Sequence, residues 1–271
     1  MIRFLVIFIV YFLSQSSFTL FAQEEEESKK GVFFGGVSIG SFFANSNTAV
    51  IYTGGSNITP YGINYILTLP QNKTTFDAYF KYPYWVEELP QEPAYNTAFD
   101  IGLHLGVYLS KLNSIYLDLN ITEINYEQTF TMAIDNPLNM SPEPTYEQIP
   151  IIGKEKRFNL NLGTQLSFFS QEKVALYWSF FGNINSVKLE RNYIVINNRE
   201  YEIFHNTQGE FNRKPGGVGY GGGTGLGFKY QLTEKITTDF TYNLFYTKVN
   251  MNENIQSFGL QHGLVLRIIW S

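Results

Sequence analysis

Residues 99–122 read FDIGLHLGVYLSKLNSIYLDLNIT, and the spacing of their apolar side chains decides the fold. On the first limb Phe99, Ile101, Leu103, Leu105, Val107 and Leu109 share one parity, and Asp100, Gly102, His104, Gly106 and Tyr108 fill the other. Ser110 to Asn113 forms a tight turn. The return limb sets Ile115, Leu117, Leu119 and Ile121 against Tyr116, Asp118, Asn120 and Thr122. A period of two over roughly 10 residues is the mark of a strand in a membrane barrel, with one side chain in lipid and the next in the lumen.

Working outward, the same pattern recurs. Phe158, Leu160, Leu162, Leu166 and Phe168 alternate with Arg157, Asn159, Asn161, Gly163, Gln165 and Ser167, and Val174, Leu176, Trp178, Phe180 and Ile184 follow the turn at Ser170 to Lys173. A third hairpin carries Tyr220, Leu226, Phe228 and Tyr230, turns at Leu232 to Lys235, and returns through Ile236, Phe240, Tyr242, Leu244 and Tyr246. The last strand shows Phe258, Leu260, Leu264, Leu266, Ile268 and Trp270 on one side. Composition agrees: 24 Phe and 19 Tyr suit the aromatic girdles of a barrel, and the chain has no Cys, which excludes disulfides and thiolate metal sites. A mean hydropathy of -0.13 reflects a polar lumen and polar loops. Together these predict an all-β, antiparallel, up-and-down transmembrane β-barrel.

The N-terminus reads as an address. Met1 to Arg3 is a short positive region, Phe4 to Leu13 is apolar, and a Ser-rich stretch leads to Ala22, so residues 1–22 are expected to be a signal peptide and 23–30 a periplasmic tail. Loss of Arg3 would leave 18 basic against 24 acidic residues, a net charge of about -6. With no basic cluster, nucleic acid is not an expected partner. The barrel domain is assigned to 31–271, opening with a strand over Gly31 to Phe43. Outer loops are expected at 44–96, 134–155, 190–214 and 250–256. Within the first, Tyr61, Ile63, Tyr65, Leu67 and Leu69, and then Phe76, Ala78, Phe80 and Tyr82, also alternate with other residues. They are either an extra hairpin above the membrane, giving eight wall strands, or two further wall strands, giving ten. Pro60, Pro70 and Pro83 punctuate these stretches and favour eight.

The three turns share a pattern: Tyr108-Leu-Ser-Lys-Leu-Asn-Ser-Ile, Phe168-Phe-Ser-Gln-Glu-Lys-Val and Tyr230-Gln-Leu-Thr-Glu-Lys-Ile. With the Gly-rich run from Gly219 to Tyr230 and the terminal strand ending in Trp270, the chain resembles the OmpX-like outer-membrane β-barrel family of Gram-negative bacteria. The resemblance implies residence in outer-membrane lipid and insertion by the barrel assembly machinery. Trp270, closing the series Phe258, Leu266 and Ile268, would then be the near-terminal aromatic of the insertion signal. Some members of the wider family are accessory barrels in protein secretion.

Eight strands leave room only for side chains inside. Asp118, Asp239, Lys229 and Arg267 are expected near the lower end of the lumen, Asp100 and Arg157 higher, and His104 among them, as a charge network, because unpaired buried charge is costly. The inward glycines Gly221, Gly223, Gly225 and Gly227 would make room for Tyr177 and Phe181. Gly217, Gly219 and Gly222 match a dinucleotide fingerprint, but a strand follows where that site needs a helix. No spacing suggests a metal or other cofactor. His262 has lipid-facing parity, where a lipid-modifying enzyme could place a catalytic histidine, yet no nucleophile stands beside it in sequence. The best binding candidates are loop aromatics: Tyr79, Tyr82, Tyr84 and Trp85 in the first loop, and Tyr193, Tyr201 and Phe204 in the third. The sequence thus predicts a noncatalytic structural or surface-interaction barrel with a surface or envelope protein partner. A narrow channel or accessory secretion barrel is the alternative, and a lipid-modifying enzyme the third reading.

Overall fold

The computed structural model describes residues 30–110, 113–139, 142–205 and 214–271. The expected signal peptide and almost all of the tail lie outside the described residues. Ten strands form one antiparallel sheet: β1 (Phe33–Phe43), β2 (Tyr84–Glu88), β3 (Ala98–Tyr108), β4 (Asn113–Ile134), β5 (Thr145–Gln171), β6 (Val174–Ile196), β7 (Arg199–Glu202), β8 (Gly216–Gln231), β9 (Ile236–Asn250) and β10 (Gln256–Trp270). Eight of them close a ring in the order β1-β3-β4-β5-β6-β8-β9-β10, sealed where β1 pairs β10 from Gly35 opposite Trp270 to Phe43 opposite His262. β2 and β7 stand outside the ring, on β4 and β6. The chain is therefore an eight-stranded barrel in a ten-stranded sheet.

Closure satisfies every strand edge in the wall, which is what hydrocarbon demands of backbone. The exterior matches. Leu103, Ile121, Leu162, Phe180, Leu226 and Ile268 are exposed on the outer face while their alternate neighbours are buried. Short turns gather at one end, tied by bonds such as Leu109 N to Asn113 O at 2.8 Å and Leu232 N to Ile236 O at 2.9 Å.

Three strands are much longer than crossing requires. β4 has 22 residues, β5 has 27 and β6 has 23, against about 10 for a spanning strand. They therefore rise out of the wall, and their polarity reverses as they do. On β4 the outward series Ile115, Leu117, Leu119, Ile121 gives way to Glu123, Asn125, Glu127, while the inward series passes from Asp118, Asn120, Thr122 to Ile124, Tyr126, Phe130. β5 and β6 switch at the same height, outward from Phe158 to Lys156 and from Ile184 to Ser186. Ion pairs Lys154–Glu123 at 2.5 Å and Lys156–Glu190 at 2.8 Å mark this upper outer surface.

The expected loops at 134–155 and 190–214 are thus mostly strand: β5 begins at Thr145 and β6 runs to Ile196. Asn197 and Asn198, at φ 50° and 58°, then make the tight turn into β7. Above the membrane the pairings β2-β4-β5-β6-β7 make a five-stranded sheet, the head.

The alternating stretches of the first connection are not strands of either kind. They are helices α1 (Ile63–Thr68) and α2 (Pro70–Phe80), preceded by a 3-10 turn over Ser46–Thr53. Ile63, Ile66 and Leu67, then Phe76 and Phe80, are the buried residues, at the i, i+3, i+4 spacing of a helix face. Alternation and helical spacing coincide over so few residues. Pro70, read as a strand breaker, sits in the first turn of α2, where its missing N–H costs nothing. The helices cover the inner face of the head sheet. Ala49, Ile51, Tyr52, Phe76, Tyr126, Phe130, Met132, Ile151 and Ile194 form its apolar core.

Candidate functional site

Two places concentrate functional chemistry: the lumen and the outer groove of the head. At the lower end of the lumen, Arg267 donates to Asp118 at 3.0 Å and to Asp239 at 3.4 Å, and His104 bonds the other oxygen of Asp118 through Nδ1. Tyr177 donates to Asp239 at 2.6 Å and lies within hydrogen-bond distance of Thr241. Tyr177 fits because Gly227 faces it; a Cβ there would stand 2.1 Å from the ring. Gly223 makes the same room for Phe181.

Of the other charges of the expected network, Lys229 and Asp100 border this cluster and Arg157 lies outside it. Lys229 donates to Gln165 at 2.6 Å and lies 4.9 Å from the Tyr177 ring centre. Asp100 accepts from Thr122 and Asn120 rather than from a cation. Arg157, fully buried, belongs to a separate site one level up: it donates to Glu155 at 2.6 Å and to Gln261 at 2.8 Å.

Glu155 was hidden from sequence reading inside a presumed loop, although it shares inward parity with Arg157. It accepts from Tyr52 at 2.7 Å and from Tyr95 at 3.1 Å, both contributed by the first connection, and Tyr95 also lies under Arg157 at 5.2 Å. Asn45 and Asn47 fasten the same segment to Leu260 and Phe258 of β10. The 3-10 turn is thus a plug, bonded to a buried ion pair at the mouth of the barrel. Below it, a cavity of 20 Å³ lined by Asp100, Asn120, Asn159, Asn243 and Arg267 has room for about one water.

The loop aromatics fall into two groups, those engaged with neighbouring side chains or backbone and those that line a groove. Tyr79 donates to Glu147 at 2.7 Å, which raises its pKa. Tyr201 packs on Phe76 at 4.8 Å, and Tyr193 lies under Arg191 at 4.4 Å. Phe204 bridges to Tyr61 and accepts from Thr59 through its carbonyl. Tyr82, Tyr84 and Trp85 instead line a groove of 850 Å³ together with Asn64, Lys73 and Lys81. Partial burial and the neighbouring Asp77 push the Tyr84 hydroxyl up to about 12. Trp85 is 43% exposed and donates to Glu87 at 2.8 Å.

His262 lies on the outer wall without a bulge in the register. It stacks on Phe43 at 4.5 Å and has Tyr242 at 5.8 Å. Thr224 shares its row, but Leu244 stands between them, and the Thr224 hydroxyl is engaged with the Trp178 indole and the Ser179 carbonyl. No nucleophile–base pair forms there. Among the described residues no cluster of His, Asp and Glu could hold a metal ion.

No family model matches the chain, and no curated protein matches it. Among solved structures it is similar to Neisserial surface protein A, at 10% identity over 90% of this chain and 99% of that one, with a TM-score of 0.42. It is also similar to the outer membrane protein OprG from Pseudomonas aeruginosa, at 9% identity over 89% and 94%, TM-score 0.37. A third is Ail, the attachment invasion locus protein of Yersinia pestis, at 11% identity over 89% and 98%, TM-score 0.31. These neighbours are small Gram-negative outer-membrane β-barrel proteins. The fold assignment stands on the closed pairing of the strands themselves, without support from those scores.

Proposed function

We propose that this chain is a sealed outer-membrane barrel of a Gram-negative bacterium whose work is contact at the cell surface. The observation that carries this reading is the polarity reversal along β4, β5 and β6. The wall continues without a break into a head with its own apolar core, and the plug from that head closes the lumen over Glu155 and Arg157. A barrel so filled has no path for solute, and a head so rigidly mounted is suited to holding a binding surface away from lipid.

Outer-membrane lipid contacts the wall, and the barrel assembly machinery inserts it, with Phe258, Leu266, Ile268 and Trp270 as the insertion signal. The partner of the head is a surface or envelope protein. Reconstitution of the full chain in planar bilayers tests the reading: no discrete conductance steps are expected. Steps that survive in the full chain and grow on Tyr52→Ala would replace the contact role with a gated channel.

A further inference from the structure

We propose that the outer groove of the head binds an uncharged oligosaccharide, with a sugar ring stacked on Trp85 and its hydroxyls bonded to Asp77 and Asn64. This rests on the surface-contact reading and names what the head touches: the glycan carried by its protein partner.

The lining supplies the first argument. Asn64 and Thr68 lie four residues apart on α1, and Lys73 and Asp77 lie four apart on α2, so each pair shares one helix face. All four are exposed, and all four line the groove together with the rings of Tyr84 and Trp85. A concave site of 850 Å³ that joins aromatic rings to a few polar groups falls in the range of about 300–1,000 Å³ that small-ligand sites occupy.

Hydrogen bonding supplies the second. Lys73 at 2.9 Å and the Tyr84 hydroxyl at 3.2 Å both donate to Oδ1 of Asp77. Among the described residues, Oδ2 of Asp77 and the side-chain amide of Asn64 make no hydrogen bond. The groove therefore offers an ionised acceptor, and an amide that both donates and accepts, to the hydroxyls of a ligand. The acceptor is held in place before any ligand arrives. Lys73 lies 5.8 Å from the centre of the Tyr84 ring, and Phe80 packs on that ring at 4.6 Å.

Trp85 and the balance of charge supply the occupant. Glu87 accepts from the indole N–H at 2.8 Å, so the polar edge of the ring is satisfied and its π face is left for contact. The C–H groups on the flat side of a sugar ring carry partial positive charge, which suits that face. Lys73 and Lys81 stand against Asp77 and Glu87, two cations and two anions, so the site is formally neutral. A hydroxyl-rich ligand with one apolar face and no charge matches such a lining. A sulfated or carboxylated chain gains nothing from it.

The test uses the full chain refolded in lauryldimethylamine oxide micelles, which carry no sugar. Two fluorescein-labelled probes, chitotetraose and cellotetraose, are titrated and read by fluorescence anisotropy. Saturable binding of at least one is expected, displaced by the same sugar without its label. Trp85→Ala weakens it at least about tenfold, and Trp85→Phe, which keeps an aromatic face, recovers most of that loss. Asp77→Asn weakens it about fivefold. Affinity is flat between about 0.05 and 0.5 M salt, as an uncharged ligand requires.

Failure of both probes to bind overturns the proposal, as does binding by Trp85→Ala equal to that of the wild type. So does tighter, salt-sensitive binding of a sulfated chitotetraose, which assigns the groove to acidic chains through Lys73 and Lys81. Silent bilayers without sugar binding leave the surface-contact reading in place and remove only the glycan, whereas discrete conductance removes that reading itself.

Discussion

The wall and the head are built from the same three strands with opposite polarity. Below the switch, β4, β5 and β6 turn leucines and isoleucines outward and enclose Asp118, Asn120, Asn159, Asn161 and Asn183. Above it they turn Glu123, Lys154 and Lys156 outward and enclose Ile124, Tyr126 and Ile151. The pleat is the same throughout. What changes is the solvent on each side: hydrocarbon outside and hydrogen-bonded side chains inside in one case, water outside and a dry core in the other. The height at which the two series exchange is therefore a marker of the membrane boundary written in the strands.

The largest test of this contrast lies at the boundary itself. Arg157→Ala leaves Glu155 buried without its cation and is expected to cost about 3–5 kcal/mol in denaturant unfolding, whereas Glu155→Gln combined with Arg157→Met recovers most of that loss. A double variant as unstable as the single one would show that the ion pair does more than neutralise itself. Next, Leu162→Arg in the wall is expected to cost about 2–4 kcal/mol in lipid vesicles. Lys156→Leu, of the same outward parity above the switch, changes stability by less than about 0.5 kcal/mol. Equal effects would place the boundary elsewhere.

Within the barrel, Gly227→Ala forces a methyl into the Tyr177 ring and is expected to cost about 1–3 kcal/mol. Gly182→Ala, whose new methyl meets nothing within 4 Å, is near neutral. The smallest effect belongs to the head. Burial lowers the His205 pKa to about 4, and its Nε2 lies 2.8 Å from the Asn192 amide nitrogen, which suits a neutral ring accepting that bond. A histidine depressed in the folded state contributes fully above its unfolded value of about 6.5 and loses that contribution as the pH falls toward 4. Exchange of the Ile203 amide, bonded to Asn192 O at 2.8 Å, is expected to quicken over that interval and to be pH-flat, after correction for intrinsic exchange, in His205→Gln. Unchanged exchange in the wild type would remove the histidine from the stability of this segment.

The wall was legible because each of its residues answers to one of two solvents, and a period of two survives any detail of packing. The aspartates, Arg267, His104 and the glycines opposite Tyr177 and Phe181 could be placed by parity alone. Partners were harder to read: Arg157 lies above Asp118 and Asp239 as its distance from the turns implies, yet its carboxylate partner, Glu155, fell within the stretch read as a loop. The head was not legible in the same way. There α1 and α2 mimic alternation over too few turns, β2 is a short edge piece whose partner on β4 lies more than forty residues away, and β7 is only four residues long.

By itself, then, the order of residues determined that a closed sheet would stand in lipid with polar side chains inside, since local alternation encodes which side of a strand meets hydrocarbon; that its wall has eight strands and not ten was decided when the alternating stretches of the first connection proved helical. Only the tertiary structure decided that the long strands carry a head, that Tyr52 and Tyr95 plug the barrel through Glu155, and that Asp77 and Trp85 line one groove. Those features depend on contacts between segments as far apart as Tyr52 and Glu155, where no local period records which partner each side chain will meet.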